Sequence, residues 1–433
     1  MKVFSTLEPQ QRKNLLVLFA AGLSFWASLG SLLPTLPLYV QDVGGTMQQV
    51  GIVMGAFAVG LLLCRPTLGK LADQRSRKLV VLIGMGVVAL APLGYLFVTS
   101  IPLLLLIRAF HGISIAAYTT GNSALIVDLS PVQKRGEVIG YMSLTNPIGI
   151  AIGPAIGGFL QEQVGYTPLF LLSFGLGVLG FFFACQVKEP PITLQSGVES
   201  SESQTGRVSV NRQSDKFWQL LGSPPFRIPA LVLLLTGLIF GALATFVALY
   251  IREAEVDFNA GWFYTAAAMS SFGVRFITGR ASDRYGRGVF ITGSLVCYGL
   301  SMLLLSQFQT AVSFLVSGLL EGAGGGALIP MMITLLADRS YPHERARVFS
   351  LCIGGFDLGI AIAGPVLGTF AQQLGYQGIF SLTTGIALLA LIVFITLNSK
   401  DLAHSLRFAT GRERDIYLAL REDPVIDASL NRR

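Results

Sequence analysis

The sequence predicts an all-α membrane protein with twelve transmembrane helices in two six-helix halves. Of its 433 residues, 52% are hydrophobic and only 13% are charged, whereas a soluble domain typically has about 25% charged residues. Apolar stretches long enough to cross a bilayer recur almost from end to end,. Landmark residues of the first half recur in the second half at a constant offset of 210 residues. Together these observations exclude a soluble domain with a single anchor.

Six apolar segments lie on each side of one long polar stretch. Since lipid offers the backbone no hydrogen-bond partners, each segment is expected to be helical. The predicted spans are Leu15–Val40, Val50–Leu68, Leu79–Val98, Pro102–Ile126, Val138–Leu160, Leu169–Cys185, Ile228–Ile251, Ala260–Thr278, Val289–Leu305, Ala311–Leu336, Val348–Phe370 and Ile379–Leu397. The chain therefore divides into a first half (1–186), a central loop (187–227), a second half (228–397) and a tail (398–433).

The central loop is expected to lie on the side of the two termini. Its Ser, Gln, Glu and Gly content between Gln195 and Ser214 indicates disorder,. Phe217, Trp218, Leu220 and Leu221 then indicate a short amphipathic helix on the membrane surface,. The tail has mixed charge and no recognisable motif.

The distribution of Lys and Arg predicts the orientation. With both termini in the cytoplasm, 27 of the 31 Lys and Arg residues fall in inner segments, three fall within spans, and only Arg252 falls in an outer loop. This bias places the termini inside a multi-pass protein of the cell (inner) membrane. The net charge of +7 is thus a topology signal, and no nucleic-acid partner is expected.

Catalytic and metal-binding patterns are not found in the sequence. The four cysteines fall in apolar segments without ligand spacing, which indicates packing residues: Cys64, Cys185, Cys297 and Cys352,. There is no phosphate-binding loop and no nucleophile constellation, and no soluble segment is large enough for a nucleotide-binding domain. We therefore expect a protein that is not an enzyme and has no cofactor, with an ion gradient as its energy source.

The repeat indicates a transporter arrangement. The matched pairs at the offset of 210 are Gly69/Gly279, Asp73/Asp283, Arg77/Arg287, Arg65/Arg275, Gly112/Gly322, Asp128/Asp338, Arg135/Arg345 and Gly165-Tyr166/Gly375-Tyr376. Two equal six-helix halves imply a pseudo-symmetric bundle with a cavity at the interface between them.

The first inner loop of each half is short and charged. It contains a glycine that permits a tight turn, followed by an aspartate and basic residues; the carboxylate can pair within the loop or cap a helix.

These loops resemble the signature loop of the major facilitator superfamily, except that Ser76 stands where the family usually has a glycine. The resemblance covers nearly the whole chain. It implies a conformational gate formed by Gly69, Asp73, Arg77, Gly279, Asp283 and Arg287, in which Asp73, and to a lesser extent Asp283, locks helices on the cytoplasmic side; a topology anchor is the simpler alternative.

The fifth span has a glycine pattern. Gly149, Gly153 and Gly157 are four residues apart and so line one helix face, where small residues allow close packing,. The full set, Gly140, Gly149, Gly153, Pro154, Gly157 and Gly158, resembles the motif of drug/proton antiporters of this superfamily. That resemblance implies export by exchange. A partial echo at Gly359, Gly364-Pro365 and Gly368 favours general architecture for part of the motif.

Several ionisable residues lie inside spans, where charge is costly unless it faces a cavity or a partner. Arg108 lies about 9 Å from the outer end of the fourth span, and its spacing resembles an antiporter motif in which an arginine serves proton transfer. His111, where the family often has glutamine, is either a second titrating group or a hydrogen-bonded neighbour. Glu321 and Asp357 lie about 14 Å deep, and a fixed ion pair is the alternative to a proton-carrying role.

Further polar residues complete the predicted sites. Asn122 and Asn146 are candidates for the cavity, although buried asparagine often only bonds across helices,. Arg65 and Arg275 are symmetric, lie near the inner ends of their spans and can extend to the interface; we interpret them as gate or anchor residues.

The sequence therefore predicts a proton-coupled exporter that works by alternating access. Its expected partners are a small organic molecule or drug, protons and the lipid bilayer, and the chain is expected to act as a monomer. A symporter for a sugar or another nutrient is the alternative within the class. A non-transporting membrane signalling or interaction protein is the alternative outside it.

Overall fold

The computed structural model describes residues 7–131, 134–189, 222–340 and 345–417. The side chains of residues 279, 280, 283, 345 and 346 are outside the described set, as are the disorder and the amphipathic helix predicted for the central loop. Every regular element in the described ranges is a helix.

The first half contains α1 to α8. Their bounds are α1 Pro9–Ser31, α2 Leu36–Asp42, α3 Met47–Gln74, α4 Arg77–Phe97, α5 Ile101–Leu129, α6 Arg135–Met142, α7 Thr145–Val164 and α8 Tyr166–Gln186. The predicted first span is interrupted between α1 and α2, and the predicted fifth span is divided between α6 and α7. Neither break follows from hydropathy, which locates apolar stretches but not interruptions of the helix within them.

The second half and the tail contain α9 to α14. Their bounds are α9 Pro224–Glu253, α10 Ala260–Tyr285, α11 Arg287–Gln307, α12 Ala311–Arg339, α13 Arg345–Leu397 and α14 Leu402–Ala409. Ten helical stretches of the described chain are long and apolar enough to cross a membrane. Because α13 is divided at Gly375 into two spans and α10 is the more polar remaining one, the twelve predicted crossings are present.

Glycines with positive φ mark the sharp turns between spans. Gly165 (φ 86°) separates α7 from α8, and Gly375 (φ 64°) divides α13 at the equivalent position of the second half. Gly286 (φ 87°) separates α10 from α11, a conformation that L-residues rarely adopt. Its counterpart Ser76 instead takes extended backbone and caps α4 by accepting a hydrogen bond from the Leu79 amide. The serine is thus accommodated by a different turn.

The two halves meet along two symmetric helix pairs, α3 with α13 and α7 with α10. Gly51 of α3 contacts the Gly364 backbone, and Gly158 of α7 lies against the backbone of Gly261. Because each half crosses the membrane six times, its chain ends lie on one side, here called the terminal side. These glycine contacts lie near the opposite side, where α3 and α10 begin.

The tail forms part of the second half. Arg339, whose side chain is fully buried, forms a bidentate ion pair with Asp415 and donates to Pro225 and Asn398. It therefore ties the end of α12 to the start of α9 and to the end of α13. The repeat does not predict this group of contacts, because the residue of the first half that is equivalent to Arg339 is Leu129.

Candidate functional site

A cavity of about 400 Å³ lies between the halves. Its walls are mostly apolar and aromatic, with Trp26 and Phe57 from the first half and Phe263 and Tyr264 from the second. The polar and ionisable residues on the wall also include Arg108, Asn146, Thr245, Ser271, Arg275, Tyr298, Glu321 and Asp357. Four residues of the predicted site, Arg108, Asn146, Glu321 and Asp357, thus lie on this wall, and their roles in proton coupling or substrate binding stay predictions.

Asp357 joins the two halves. Arg65 Nη1 of α3 donates to Asp357 Oδ2 of α13 at 2.6 Å. The Asp357 side chain is only 12% exposed and that of Arg65 is 36% exposed, so the pair is partly shielded from water. This contact corresponds to the fixed ion pair that the sequence analysis left open for Asp357, and the role of Arg65 as a gate or anchor residue stays a prediction. The pair links the halves beside the cavity.

Glu321 has no such partner. It lies near the middle of α12, and among the described residues it forms no hydrogen bond or ion pair. Its Oε1 and the Tyr298 hydroxyl both face Gly325, where a β-carbon would lie 3.6 Å and 2.9 Å from them. An uncompensated carboxylate is costly in an apolar wall. Glu321 is thus suited to bind either a proton or a positively charged group from the cavity.

Arg108 is held by an aromatic ring. Its guanidinium carbon lies 4.3 Å from the centroid of Phe57, a cation–π geometry. The side chain is buried, and its Nε has no hydrogen-bond partner. Arg108 thus lies on the cavity wall with an unsatisfied donor, and its role in proton transfer stays a prediction.

His111 and Asn122 are not on the cavity wall. The fully buried His111 packs against Phe57, and its Nδ1 lies 3.1 Å from the Tyr95 hydroxyl. Asn122 is also absent from the wall, and its Oδ1 is buried without a partner. Neither residue is part of the wall of this cavity, although Ile115 of the same helix is. The contact with Tyr95 fits the alternative of a hydrogen-bonded neighbour for His111, and the proton-coupling roles of both residues stay predictions.

Arg275 faces the cavity instead of the interface. Its Nε donates to the Gly326 carbonyl at 3.3 Å, and it forms no ion pair with a described carboxylate. Its counterpart Arg65 is paired with Asp357, but Pro147 occupies the position equivalent to Asp357. The pseudo-symmetry therefore leaves Arg275 without the acid that Arg65 has.

The predicted gate residues on the terminal side form pairs within each half. Arg77 pairs with Asp128, and Arg287 Nε lies 3.6 Å from Asp338 Oδ2, at equivalent positions. Asp73 is exposed at the end of α3. Gly69 lies inside α3, so the expected glycine turn is wrong there; the turn occurs at residues 75–76.

The gate residues of the second half are only partly described. The side chains of Gly279 and Asp283 lie outside the described set. Their predicted roles therefore stay predictions.

The glycines of the fifth-span motif lie against α1. A β-carbon on Gly153 would lie 2.6 Å from the Ala27 carbonyl oxygen. A β-carbon on Gly149 would lie as close to Trp26, and one on Gly157 as close to the Ser31 backbone. Gly158 faces the other half. Gly140 has no neighbour within 4 Å and thus does not take part in this packing.

A polar cluster joins the halves on the side opposite the termini. Arg252 Nη1 donates to Asp42 Oδ1 at 2.7 Å, and Tyr166 donates to the same carboxylate. Nearby, Asn259 donates to Glu162. The sequence analysis missed this cluster, although Arg252 is the single basic residue expected in an outer loop.

Comparisons with known proteins agree with this architecture. The family model described as Major Facilitator Superfamily matches residues 15–311 and 256–426. The chain is 27% identical to "Multidrug resistance protein MdtG" of Escherichia coli O1:K1 / APEC over 398 residues, covering 87% of this chain and 92% of that protein. The protein of the same name from Escherichia coli strain K12 / DH10B has the same identity and coverage.

Two solved structures share the fold. The nucleoside transporter NupG (D323A mutant) aligns with a TM-score of 0.74 at 15% identity, over 87% of this chain and 98% of that one. A bacterial homologue of the human lysosomal transporter Spinster, in an inward-facing and unoccupied conformation, aligns with a TM-score of 0.68 at 14% identity. The alignment covers 96% of this chain and 99% of that one. At these identities the likeness concerns the fold alone.

Proposed function

Because the chain belongs to the Major Facilitator Superfamily, a family of multi-pass membrane transporters, we propose that it exports a small organic molecule in exchange for protons by alternating access. The substrate occupies the cavity between the halves, and Glu321 is the proton-exchanging acid. Arg108 lies on the facing wall of the first half.

The unpaired state of Glu321 is the observation that carries this proposal. Asp357 already has Arg65 as a partner, whereas Glu321 is buried on the cavity wall without one. A carboxyl group in this position is stable when protonated or when a substrate supplies a compensating group. Proton and substrate then compete for one site, which is the condition for exchange.

The contacts between the halves support alternating access. Arg252–Asp42 and Asn259–Glu162 close the side opposite the termini, while Arg77–Asp128 on the terminal side stays within one half. With the termini in the cytoplasm, as the Lys and Arg distribution predicts, we infer an inward-facing state in which the Arg65–Asp357 pair still joins the halves beside the cavity. The exposed Asp73 is then the residue that engages when the cytoplasmic side closes.

Two observations favour export over uptake. The glycine face of α7 packs closely on α1, and its spacing resembles the drug/proton antiporter motif. The relatives that are 27% identical carry the name "Multidrug resistance protein". We therefore propose a substrate with a substantial apolar part, in keeping with the apolar cavity walls.

Efflux from everted vesicles tests the proposal. Candidate compounds are screened for uptake into vesicles whose interior is more acidic than the medium. In a second experiment, proton release on addition of substrate is measured with the purified protein. Glu321→Gln should lose proton release and gradient-driven transport while it keeps substrate exchange without a gradient. Glu137→Gln, an exposed carboxylate at the start of α6, is the matched control. Full gradient-driven transport in Glu321→Gln would refute its role, and transport in the direction of the proton gradient would instead establish a symporter.

A further inference from the structure

The cavity wall carries unpaired charge of both signs. Its ionisable residues are Arg108, Arg275, Glu321 and Asp357. Asp357 is neutralised by Arg65 from outside the wall. The remaining three are a carboxylate and two guanidinium groups, and among the described residues no ion pair joins them. A ligand that carries charges of both signs can therefore pair with wall residues that have no ion-pair partner among the described residues.

Arg275 has the properties of a carboxylate-binding residue. Its one described hydrogen bond comes from Nε to a backbone carbonyl, which holds the stem in place and leaves the two Nη groups available. A guanidinium group presents these as a planar fork that matches a carboxylate. The equivalent arginine, Arg65, binds a carboxylate of the protein itself, whereas Pro147, at the position equivalent to Asp357, has no carboxylate to offer Arg275. The missing acid is thus the position that a ligand can fill.

Arg108 adds a second positive charge from the facing half. It is buried, and its Nε lacks a hydrogen-bond partner. A singly charged cation at Glu321 would leave both arginines uncompensated, and a simple anion at Arg275 would leave Glu321 uncompensated. Each arrangement keeps a desolvated charge in an apolar wall. A ligand with both charges pairs with Arg275 and Glu321 at the same time, while Arg108 keeps its cation–π contact with Phe57.

We propose that the cavity binds an amphipathic zwitterion, whose carboxylate pairs with Arg275 and whose ammonium group pairs with Glu321. Its apolar body lies against Phe57, Phe263 and Tyr264. This proposal rests on the proposed function, because the ammonium group is the substrate element that competes with the proton at Glu321. It adds the chemical class of the substrate and a specificity role for Arg275.

Equilibrium binding to the full chain in lipid nanodiscs tests this class without any transport step. Three probes share a naphthyl body: naphthylalanine has both charges, naphthylpropionate only the carboxylate, and naphthylethylamine only the ammonium group. Naphthylalanine should bind at least about tenfold more tightly than either of the others, since a charged hydrogen bond contributes a factor of this order.

Substitutions assign the two charges. Arg275→Met should weaken the binding of naphthylalanine and naphthylpropionate by about tenfold or more and leave the binding of naphthylethylamine unchanged. Glu321→Gln should weaken the binding of naphthylalanine and naphthylethylamine to the same extent and leave that of naphthylpropionate unchanged. Arg284→Met, on an exposed site of the same helix, is the matched control. Arg275→Lys keeps the charge and should retain part of the affinity; it also shows whether loss of binding in the Met variant reflects misfolding.

The outcomes separate the two proposals. If naphthylethylamine binds as tightly as naphthylalanine, if no probe binds, or if Arg275→Met affects the three probes alike while Arg275→Lys binds normally, the zwitterion proposal is wrong. If the charge pattern holds but Glu321→Gln keeps proton-driven transport, the proposed exchange mechanism fails and the binding class stands.

Discussion

Asp42 and Arg252 occupy the same position in the two halves, 210 residues apart, and their side chains form an ion pair across the interface at 2.7 Å. At such a position a symmetric sequence would place two identical residues together, and identical charges would repel. Opposite charges at one repeat position therefore let the halves close on each other. This relationship also gives a structural role to Arg252, the single basic residue that the predicted topology places on the outer side.

The ion pair can be tested by exchange of its charges. The side chains are 41% and 39% exposed, so the pair should contribute only about 0.2–1 kcal/mol. Asp42→Asn or Arg252→Gln should thus raise the ratio of molecules open on the side opposite the termini to molecules closed there by a few-fold at most. Spin-label distances across the opposite-side loops measure the shift. Asp42→Arg combined with Arg252→Asp should restore the starting distribution, and no recovery in this double variant would show that the pair does not control closure.

The Arg65–Asp357 pair predicts a dependence between the two residues. Asp357→Asn leaves Arg65 partly buried without its partner, so substrate-driven conformational exchange should slow by about tenfold or more, in line with coupling energies of 0.5–3 kcal/mol for residues in contact. Arg65→Gln should slow transport by a similar factor. The double variant should lose less transport activity than the effects of the two single substitutions added together. Transport rates in proteoliposomes give the double-mutant cycle. Strict additivity would mean that the pair is not a functional unit.

Gly153→Leu should block the transport cycle. A β-carbon there would already lie 2.6 Å from the Ala27 carbonyl, and the backbone of α1 must move away. Overpacking of this kind typically costs about 1–3 kcal/mol. The melting temperature and flux of the purified variant provide the measurement. Gly140→Leu, at a position with no neighbour within 4 Å, should be tolerated; equal behaviour of the two variants would show that the contact with α1 has no importance.

Asp415→Ala should destabilise the second half. The substitution leaves Arg339 fully buried without its carboxylate, and removal of one member of a buried pair costs about 3–5 kcal/mol. Thermal unfolding should shift accordingly, and α14 should become sensitive to protease. Glu413→Gln, with a side chain 34% exposed, should change little. A normal melting temperature for Asp415→Ala would show that the tail does not clasp the bundle.

Asp73→Asn should impair transport while it leaves insertion and folding intact. Asp73 is exposed in the structure, so its loss should remove no contact that stabilises the observed state. The closed cytoplasmic side is expected to need it. Expression level and detergent stability should match the wild type, and the rate of closure on that side should fall. A transport rate equal to that of the wild type would rule out the role as a lock.

Much of the fold could be predicted from the sequence because the bilayer imposes it. Span number, the two halves and the offset of 210 residues follow from hydropathy and repetition, and the glycine face of α7 follows from a spacing of four. The sequence could not predict that α5 turns His111 and Asn122 away from the cavity. Their spacings from Arg108 place both residues within about 60° of it around the helix, and only the packing of the neighbouring helices limits the cavity wall on α5 to Arg108 and Ile115.

The sequence by itself determined which charged residues lie inside the membrane, because the cost of charge in lipid makes Arg108, Glu321 and Asp357 conspicuous against their apolar neighbours. Only the tertiary structure decided which of them are paired. Arg65 and Arg275 are equivalent in sequence, yet one meets Asp357 and the other faces an open cavity. Pairing depends on which residue the opposite half presents at a few ångströms, and that distance is fixed by helix packing rather than by hydropathy.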